Sequence, residues 1–94
     1  ATLTPSLDEK AAIYEAATKK GTNWNAHNNL AAVYIAQAIE NPSRASELGN
    51  KAKAQLDIAA KINDAGEVHA NLASTHMLLG NAYAAYNHAV KALG

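Results

Sequence analysis

A five-residue motif occurs twice in this chain, and its two copies are 42 residues apart. Residues 27–31 read His-Asn-Asn-Leu-Ala, and residues 69–73 read His-Ala-Asn-Leu-Ala. The offset gives seven identical pairs in all, which is close to what the alanine content alone would produce. Their placement is more informative, because the first members of all seven pairs lie between positions 12 and 31. A period of this size is typical of stacked supersecondary units, each of which covers the apolar face of its neighbour.

The remainder of the sequence predicts helices. Alanine, leucine, lysine, glutamate and glutamine dominate the long segments, and no segment alternates with a period of two. Capping and turn residues divide the chain into five predicted helices, at about 6–20, 23–39, 41–62, 67–79 and 82–93. Pro5 and Ser6 mark the predicted start of the first helix, Asn23 is the predicted N-cap of the second, and Gly21 is a predicted C-terminal stop. Gly49-Asn50 predicts a kink or a break within the third helix.

Alanine accounts for 23 of the 94 residues, whereas aromatic residues make up only 5%. The predicted core is therefore built from small side chains, and its helices must approach each other closely. Ala31, Ala59, Ala73 and Ala92 are predicted contact points, at which a larger side chain should overpack the interface. A chain of this length provides one domain, residues 1–94.

In these features the chain resembles the tetratricopeptide repeat family. The first helix of that repeat carries Asn-Leu-Gly and an aromatic residue four positions after the leucine. Here Asn-Leu-Ala at 29–31 is followed by Tyr34, and Asn-Leu-Ala at 71–73 is followed by His76. The spacing of the second helix is matched by Ala52, Leu56 and Ala59, by Ala85, Ala89 and Ala92, and by Tyr14 with Ala17. The resemblance implies an all-α, right-handed superhelix of about five antiparallel helices, with a half repeat at 6–20 and full repeats at 23–62 and 65–93.

The sequence departs from the family pattern in three places. Alanine replaces the glycine that follows Asn-Leu, and Asp64 stands where the family usually has proline. The first full repeat carries about nine extra residues near 39–50, which stretches the usual 34-residue period to 42. Sel1-like repeats and HEAT-type repeats are alternatives that suit a longer period, but neither matches the Asn-Leu-small pattern as well.

The resemblance implies a non-catalytic protein–protein interaction module. In this family, the first helices of successive repeats form a concave surface that binds a peptide or a protein segment. Carried over by position, that surface comprises Asn25, Asn28, Asn29, Ala32, Ile35, Ala36, Glu67, Ala70, Asn71, Ser74, Met77 and Leu78. Asn29 and Asn71 can either bind a peptide backbone or bond between repeats. The surface holds no lysine or arginine, which argues against a partner that is bound through its C-terminal carboxylate.

Composition and motifs give no sign of catalysis or of a bound cofactor. The chain has no cysteine, no phosphate-binding glycine loop, no nucleophile elbow and no HExxH motif. His69 and His76 are seven residues apart on one predicted helix, about 10.5 Å, which is too far for them to share a metal ion. Eight basic residues balance eight acidic ones, so nucleic acid is not an expected partner. We expect no enzymatic activity, no metal and no cofactor.

The sequence leaves a second function open. The alternative function is a structural spacer or self-association unit, in which apolar faces at the ends of the stack pair between copies.

The first residue is Ala1 rather than methionine, so we expect a piece of a longer protein. No apolar run is long enough to span a bilayer, and we expect a soluble protein of a bacterial cytoplasm or periplasm, without a choice between them. The single tryptophan, Trp24, is expected to pack one repeat on the previous one, and the alternative is a ligand anchor.

Overall fold

A computed structural model describes residues 6–20, 23–80 and 82–93 of the chain, and within these residues the fold is all-helical. The helices are α1 (Leu7–Thr18), α2 (Trp24–Glu40), α3 (Ala45–Ile62), α4 (Gly66–Leu78) and α5 (Ala82–Leu93). The all-α prediction is confirmed, and each predicted helix has a counterpart whose ends differ by a few residues. None of the helices in the described part of the chain is long and apolar enough to span a bilayer.

Side chains cap α1 and α2 at the predicted positions. The Ser6 hydroxyl accepts a hydrogen bond from the backbone N–H of Glu9 at 3.1 Å, and it donates to the Glu9 carboxylate at 3.2 Å. The Asn23 side chain accepts from the backbone N–H of Asn25 at 3.0 Å. Each bond satisfies an N–H group that the start of a helix leaves without an intrahelical partner. The predicted stop at Gly21 lies outside the described residues.

The third helix differs from the prediction at its start and in its middle. A 3₁₀ turn at Pro42–Arg44 precedes α3, and α3 then runs unbroken to its end. The predicted break at Gly49 is therefore wrong. Gly49 is buried, and a Cβ atom at this position would lie 2.9 Å from Cδ2 of Leu79. The glycine thus allows the chain after α4 to approach α3 closely, without interrupting the helix.

The helices of the α2–α3 hairpin are longer than those of the α4–α5 hairpin. α2 has 17 residues and α3 has 18, whereas α4 has 13 and α5 has 12. The predicted insertion near 39–50 is therefore divided among the end of α2, the 3₁₀ turn and the start of α3. α2 begins at Trp24 and α4 begins at Gly66, so the helices keep the 42-residue offset of the motif.

Each helix packs against the next one along the chain, and α2 also packs against α4. Gln37 near the end of α2 donates a hydrogen bond to Asp8 near the start of α1, at 2.7 Å. His27 near the start of α2 lies 2.6 Å from the side-chain oxygen of Gln55 in the second half of α3. Both pairs show that the neighbouring helices are antiparallel. α2 and α4 each contact three other helices, since α2 also packs against α1 and α3, and α4 against α3 and α5.

The core lies between α2, α3 and α4. Its most completely buried large side chains are Leu30, Leu48, Leu56, Val68 and Thr75. Two of the predicted alanine contact points, Ala31 and Ala59, have no exposed surface. The other two, Ala73 and Ala92, are partly buried. Small side chains therefore permit the closest helix contacts around α2 and α3, where the core is also deepest.

Candidate partner-binding surface

A groove of about 260 Å³ lies between α1 and α2, and we refer to it as the α1–α2 groove. It is lined by Leu7, Lys10 and Tyr14 of α1 and by Asn29, Ala32, Val33 and Ala36 of α2. The α1 residues recur every three or four positions and so share one helix face, as Asn29, Ala32 and Ala36 do on α2. The lining is mostly apolar, and its polar groups include the ammonium group of Lys10 and the carboxamide of Asn29.

Two hydrogen bonds between side chains hold the walls of this groove together. Tyr34 Oη donates to Oε2 of Glu15 at 2.7 Å, and Gln37 Nε2 donates to Oδ1 of Asp8 at 2.7 Å. Burial, together with the adjacent Glu15 carboxylate, raises the pKa of Tyr34 well above its usual value, so the phenol remains a hydrogen-bond donor. α1 is therefore tied to α2 near both of its ends, and the groove is preformed.

Where α4 packs against α2, the predicted surface residues are covered rather than open to a partner. Asn28 and Ile35 are buried on α2, each with about 9% of its surface exposed. Asn71 Nδ2 of α4 donates to Oδ1 of Asn28 at 2.9 Å, across the contact between the two helices. Since Ile35 lies two turns beyond Asn28, it is on the same face of α2. These three predicted partner-binding residues are thus engaged within the protein.

A second exposed surface lies on α4. Its residues are Glu67, Ala70, Ser74 and Met77, and we refer to them as the α4 face. Met77 is 63% exposed, which is high for a large apolar side chain. Leu78 is partly buried and packs against the core, and Asn25 is exposed at the start of α2. The predicted continuous surface is therefore divided into the α1–α2 groove, a buried contact and the α4 face.

The 42-residue offset relates these surfaces to each other. The offset pairs Asn28 with Ala70, Asn29 with Asn71, Ile35 with Met77 and Ala36 with Leu78. On α2 the members 28 and 35 are buried, whereas their counterparts on α4 are exposed. Asn29 is exposed on α2, whereas its counterpart Asn71 is bonded to Asn28. Each half of the α2–α4 contact therefore has an exposed counterpart. The buried residues of α2 correspond to the α4 face, and the bonded Asn71 of α4 corresponds to the exposed Asn29 of α2.

The same offset relates α1 to α3. Ala12, Ala17 and Lys19 in and after α1 match Ala54, Ala59 and Lys61 in α3. Within the protein, α2 packs against both α3 and α4. The offset replaces α3 and α4 by α1 and α2, so the site that corresponds to the position of α2 is the α1–α2 groove. The sequence predicted the pairs of equivalent residues, but it could not show which member of each pair is covered.

A polar cleft of about 270 Å³ lies at the other end of the α1–α2 contact, and no pattern in the sequence indicates it. Its lining includes Asp8, Gln37, Glu40 and Arg44. The side-chain oxygen of Gln37 is buried without a hydrogen-bond partner, although its amide nitrogen is bonded to Asp8. The cleft combines charges of both signs over few apolar atoms, and it therefore provides less apolar area for a protein partner than the groove does.

Comparison with known proteins gives no family assignment. No protein-family model matches this sequence, and no significant match is found among curated proteins or among solved structures. The function must therefore be argued from the surfaces and clusters of the chain itself. Within the described ranges, no three or more histidine, aspartate or glutamate side chains are arranged so that they could hold a metal ion.

Three histidines meet between α4 and α5, which the sequence analysis missed. His69 and His76 of α4 are buried, and the ring of His88 of α5 lies nearly parallel to both of them, with centroid distances of 5.1 Å and 5.3 Å. His69 Nδ1 and His88 Nδ1 are 2.9 Å apart. We refer to these residues as the histidine cluster. The seven-residue spacing on α4 gave no indication of it, because the third ring comes from another helix.

Trp24 opens α2 and packs against the core with part of its side chain exposed. Trp24 does not line the α1–α2 groove, so a ligand bound there would not use it as an anchor.

Proposed function

We propose that this chain is a non-catalytic module that binds an amphipathic helix of a protein partner in the α1–α2 groove. The observation that carries the proposal is the exposed carboxamide of Asn29. Its counterpart Asn71 already donates to Asn28 of the neighbouring helix, so the same group on α2 is available for a helix of the same kind. Binding of an amphipathic helix in an apolar groove is a common mode of peptide recognition.

The packing of α2 against α3 and α4 supports an amphipathic helix as the partner. α2 packs on α3 and α4, and the sequence offset relates that pair of helices to α1 and α2. The groove is therefore expected to accept a helix that resembles α2 in its contact residues. Such a helix would carry an amide or another acceptor in the position of Asn28 and an aliphatic side chain two turns later, in the position of Ile35.

The lining of the groove adds two features of the partner. Ala32 and Ala36 leave room for a close approach of the partner's backbone, so small residues are expected where it crosses α2. Lys10 at the α1 wall favours an acidic side chain on the partner, although a solvent-accessible pair adds about 0.2–1 kcal/mol. In this proposal the five helices form a stack of the tetratricopeptide type, to which the partner adds one more helix.

A synthetic peptide with the sequence of residues 24–40 tests the proposal, because it carries the contact residues of α2 itself. Isothermal titration of the full chain with this peptide should show saturable binding. Asn29→Ala should weaken it by about 5–10-fold, since one hydrogen bond is lost. Ala32→Arg should abolish it, because the new side chain fills the groove.

Two exposed positions provide matched controls for these variants. Asn25→Ala removes a carboxamide from α2 that does not line the groove, and it should leave the dissociation constant unchanged. Ala70→Arg places the same bulk on the α4 face and should also be without effect. Absence of binding to the wild-type chain, or equal binding by Ala32→Arg, would contradict the proposal. Loss of binding in Ala70→Arg alone would instead place the peptide on the α4 face.

Self-association is a second candidate function, and the α4 face favours it. Ala70 and Met77 are the exposed counterparts of Asn28 and Ile35, so the α4 face of one copy matches what the groove of another copy should accept. This contact would be head-to-tail and would not close by itself. In sedimentation, the wild-type chain should then associate with rising concentration, and Ala32→Arg and Ala70→Arg should each remain monomeric. A mixture of these two variants should form dimers, because each retains the surface that the other lacks.

A further inference from the structure

The histidine cluster places three titratable rings between α4 and α5. The planes of His76 and His88 differ by 5° and those of His69 and His88 by 18°, so the His88 ring is nearly parallel to both neighbours. His69 and His76 are each more than nine-tenths buried. His69 also bonds through Nε2 to the carboxylate of Asp64, which lies just before α4. The cluster therefore forms a side-chain contact between the two helices of the second hairpin.

The hydrogen bonds fix how many protons this contact can hold. An ionised carboxylate only accepts hydrogen bonds, so His69 Nε2 carries a proton and donates it to Asp64. The bond between Nδ1 of His69 and Nδ1 of His88 needs one proton shared between two nitrogens. When both rings are neutral, His88 donates this proton to His69. One further proton is tolerated, because a charged ring can donate to a neutral one in the same geometry.

A second further proton breaks the contact. Both Nδ1 atoms would then carry hydrogen, so neither could accept, and two positive rings would face each other with centroids 5.1 Å apart. Like charges at such a separation disfavour each other's charged forms. The His69–His88 contact therefore holds while the pair carries no charge or one positive charge, and it fails at two.

The surrounding charged groups add to this effect. Burial, followed by the nearby His69, His76 and Lys91, lowers the pKa of His88, and Asp57 of α3 opposes the shift. The hydrogen bond from His69, together with its charge, lowers the pKa of Asp64. Asp57 is already paired with Lys53 on its own helix at 2.8 Å. The carboxylate bonded to the cluster is thus that of Asp64, which can balance one positive charge.

We propose that the histidine cluster is an acid-sensitive latch, which holds α5 against α4 near neutral pH and releases it in mildly acidic solution. This inference does not depend on the proposed partner-binding function. It concerns the second hairpin alone, because the first hairpin is joined by a histidine with a different partner. His27 bonds to the amide oxygen of Gln55, which can accept a hydrogen bond from either a neutral or a charged imidazole.

The direction of the pH dependence follows from linkage. The folded-state pKa of His88 is below its unfolded value of about 6.5, so the unfolded hairpin binds more protons in acid. The contribution of His88 to stability is present above about pH 6.5 and falls as the pH drops towards the folded-state pKa. Asp64 acts in a separate window, because its contribution is present above its unfolded pKa of about 3.9 and is lost only below that.

Amide hydrogen exchange of the whole chain at pH 7.5 and pH 5.0 tests the latch, with each rate corrected for the intrinsic effect of pH. In the wild-type protein, protection factors in α5 should fall by about tenfold or more at pH 5.0, whereas those in α3 should change by less than about threefold. His88→Gln should remove this difference, because glutamine can donate to His69 without titrating. His27→Gln is the matched control and should leave the acid response of α5 intact.

Three results would overturn the proposal. One is equal protection of α5 at both pH values, and another is a uniform loss across α2, α3 and α5 in the wild-type chain. The third is a His88→Gln variant that loses α5 protection in acid as the wild type does. If His88→Gln does not fold at pH 7.5, His76→Gln replaces it, since it keeps the His69–His88 bond and removes one charge. The loss of α5 protection should then move to lower pH, and an unchanged midpoint would contradict the latch.

Discussion

The α2–α3 hairpin and the α4–α5 hairpin start with nearly the same motif, but their closing contacts differ. His27 and His69 are equivalent in sequence, and each bonds to the second helix of its own hairpin. In the first hairpin the partner is Gln55, which does not titrate. In the second the partner is His88, which does. Equivalent positions in a repeat therefore share a geometric role without sharing its dependence on pH.

The two hairpins also differ in how much of the core they provide. Leu30, Leu48 and Leu56 of the first hairpin are almost completely buried. Val90 and Leu93 of α5, by contrast, are 50% and 91% exposed. Among the side chains that the structure describes, the first hairpin buries more apolar residues than the second, and burial of apolar surface is the main source of stability. We therefore expect the first hairpin to dominate the stability of the domain and the second to be the part that responds to its surroundings.

The largest effect is expected from removal of a core leucine in the first hairpin. Leu56→Ala should lower the free energy of unfolding by about 2–5 kcal/mol, because Leu56 has no exposed surface and the cavity cannot be filled by water. Urea denaturation followed by circular dichroism measures this loss. Leu93→Ala at the exposed end of α5 is the control and should stay within about 0.5 kcal/mol. A loss below about 1 kcal/mol for Leu56→Ala would show that the first hairpin does not dominate.

An intermediate effect should distinguish the equivalent alanines of the two hairpins. Ala31 has no exposed surface, so Ala31→Leu should cost about 1–3 kcal/mol by overpacking. Ala73 is partly buried, and Ala73→Leu should cost less than about 1 kcal/mol, since the longer side chain can extend towards solvent. Thermal unfolding of both variants compares them directly. Equal losses would mean that the second hairpin is packed as tightly as the first.

The smallest effect concerns the equivalent asparagines. Asn71→Ala leaves the buried side-chain oxygen of Asn28 without its donor and should cost about 1–2 kcal/mol. Asn29→Ala removes an exposed side chain and should change stability by less than about 0.5 kcal/mol. Urea denaturation of the two variants gives the comparison. A stability loss in Asn29→Ala as large as that in Asn71→Ala would show that Asn29 is already engaged within the protein.

Local signals in the sequence predicted most of the helices because they depend on neighbouring residues. Ser6 and Asn23 cap helices where expected, since a cap needs only its own side chain and an N–H group two or three residues later. Gly49 was misread because a glycine in a helix has two meanings. Its low helix propensity suggests a break, whereas its small size can serve a close contact with Leu79, which is distant in sequence.

The candidate surface was predicted in part for the same reason. The resemblance to the tetratricopeptide repeat family implied that Asn29, Ala32, Ser74 and Met77 are surface positions, and all four are exposed. It could not show that Asn28 and Ile35 are buried, because their counterparts on α4 are exposed and the motif is nearly the same. Burial at these positions depends on whether a further helix packs on that side.

By itself, the sequence determined the all-helical fold, the position of each helix within a few residues and the 42-residue relation between α2 and α4. These properties follow from propensity, capping and periodicity, which act over one or two helical turns. The tertiary structure alone decided which of two equivalent faces is covered, where a groove remains and which histidines meet. Each of these depends on the distances between helices far apart in the chain. A helical pattern shows which face of a helix is apolar, but not what lies against that face.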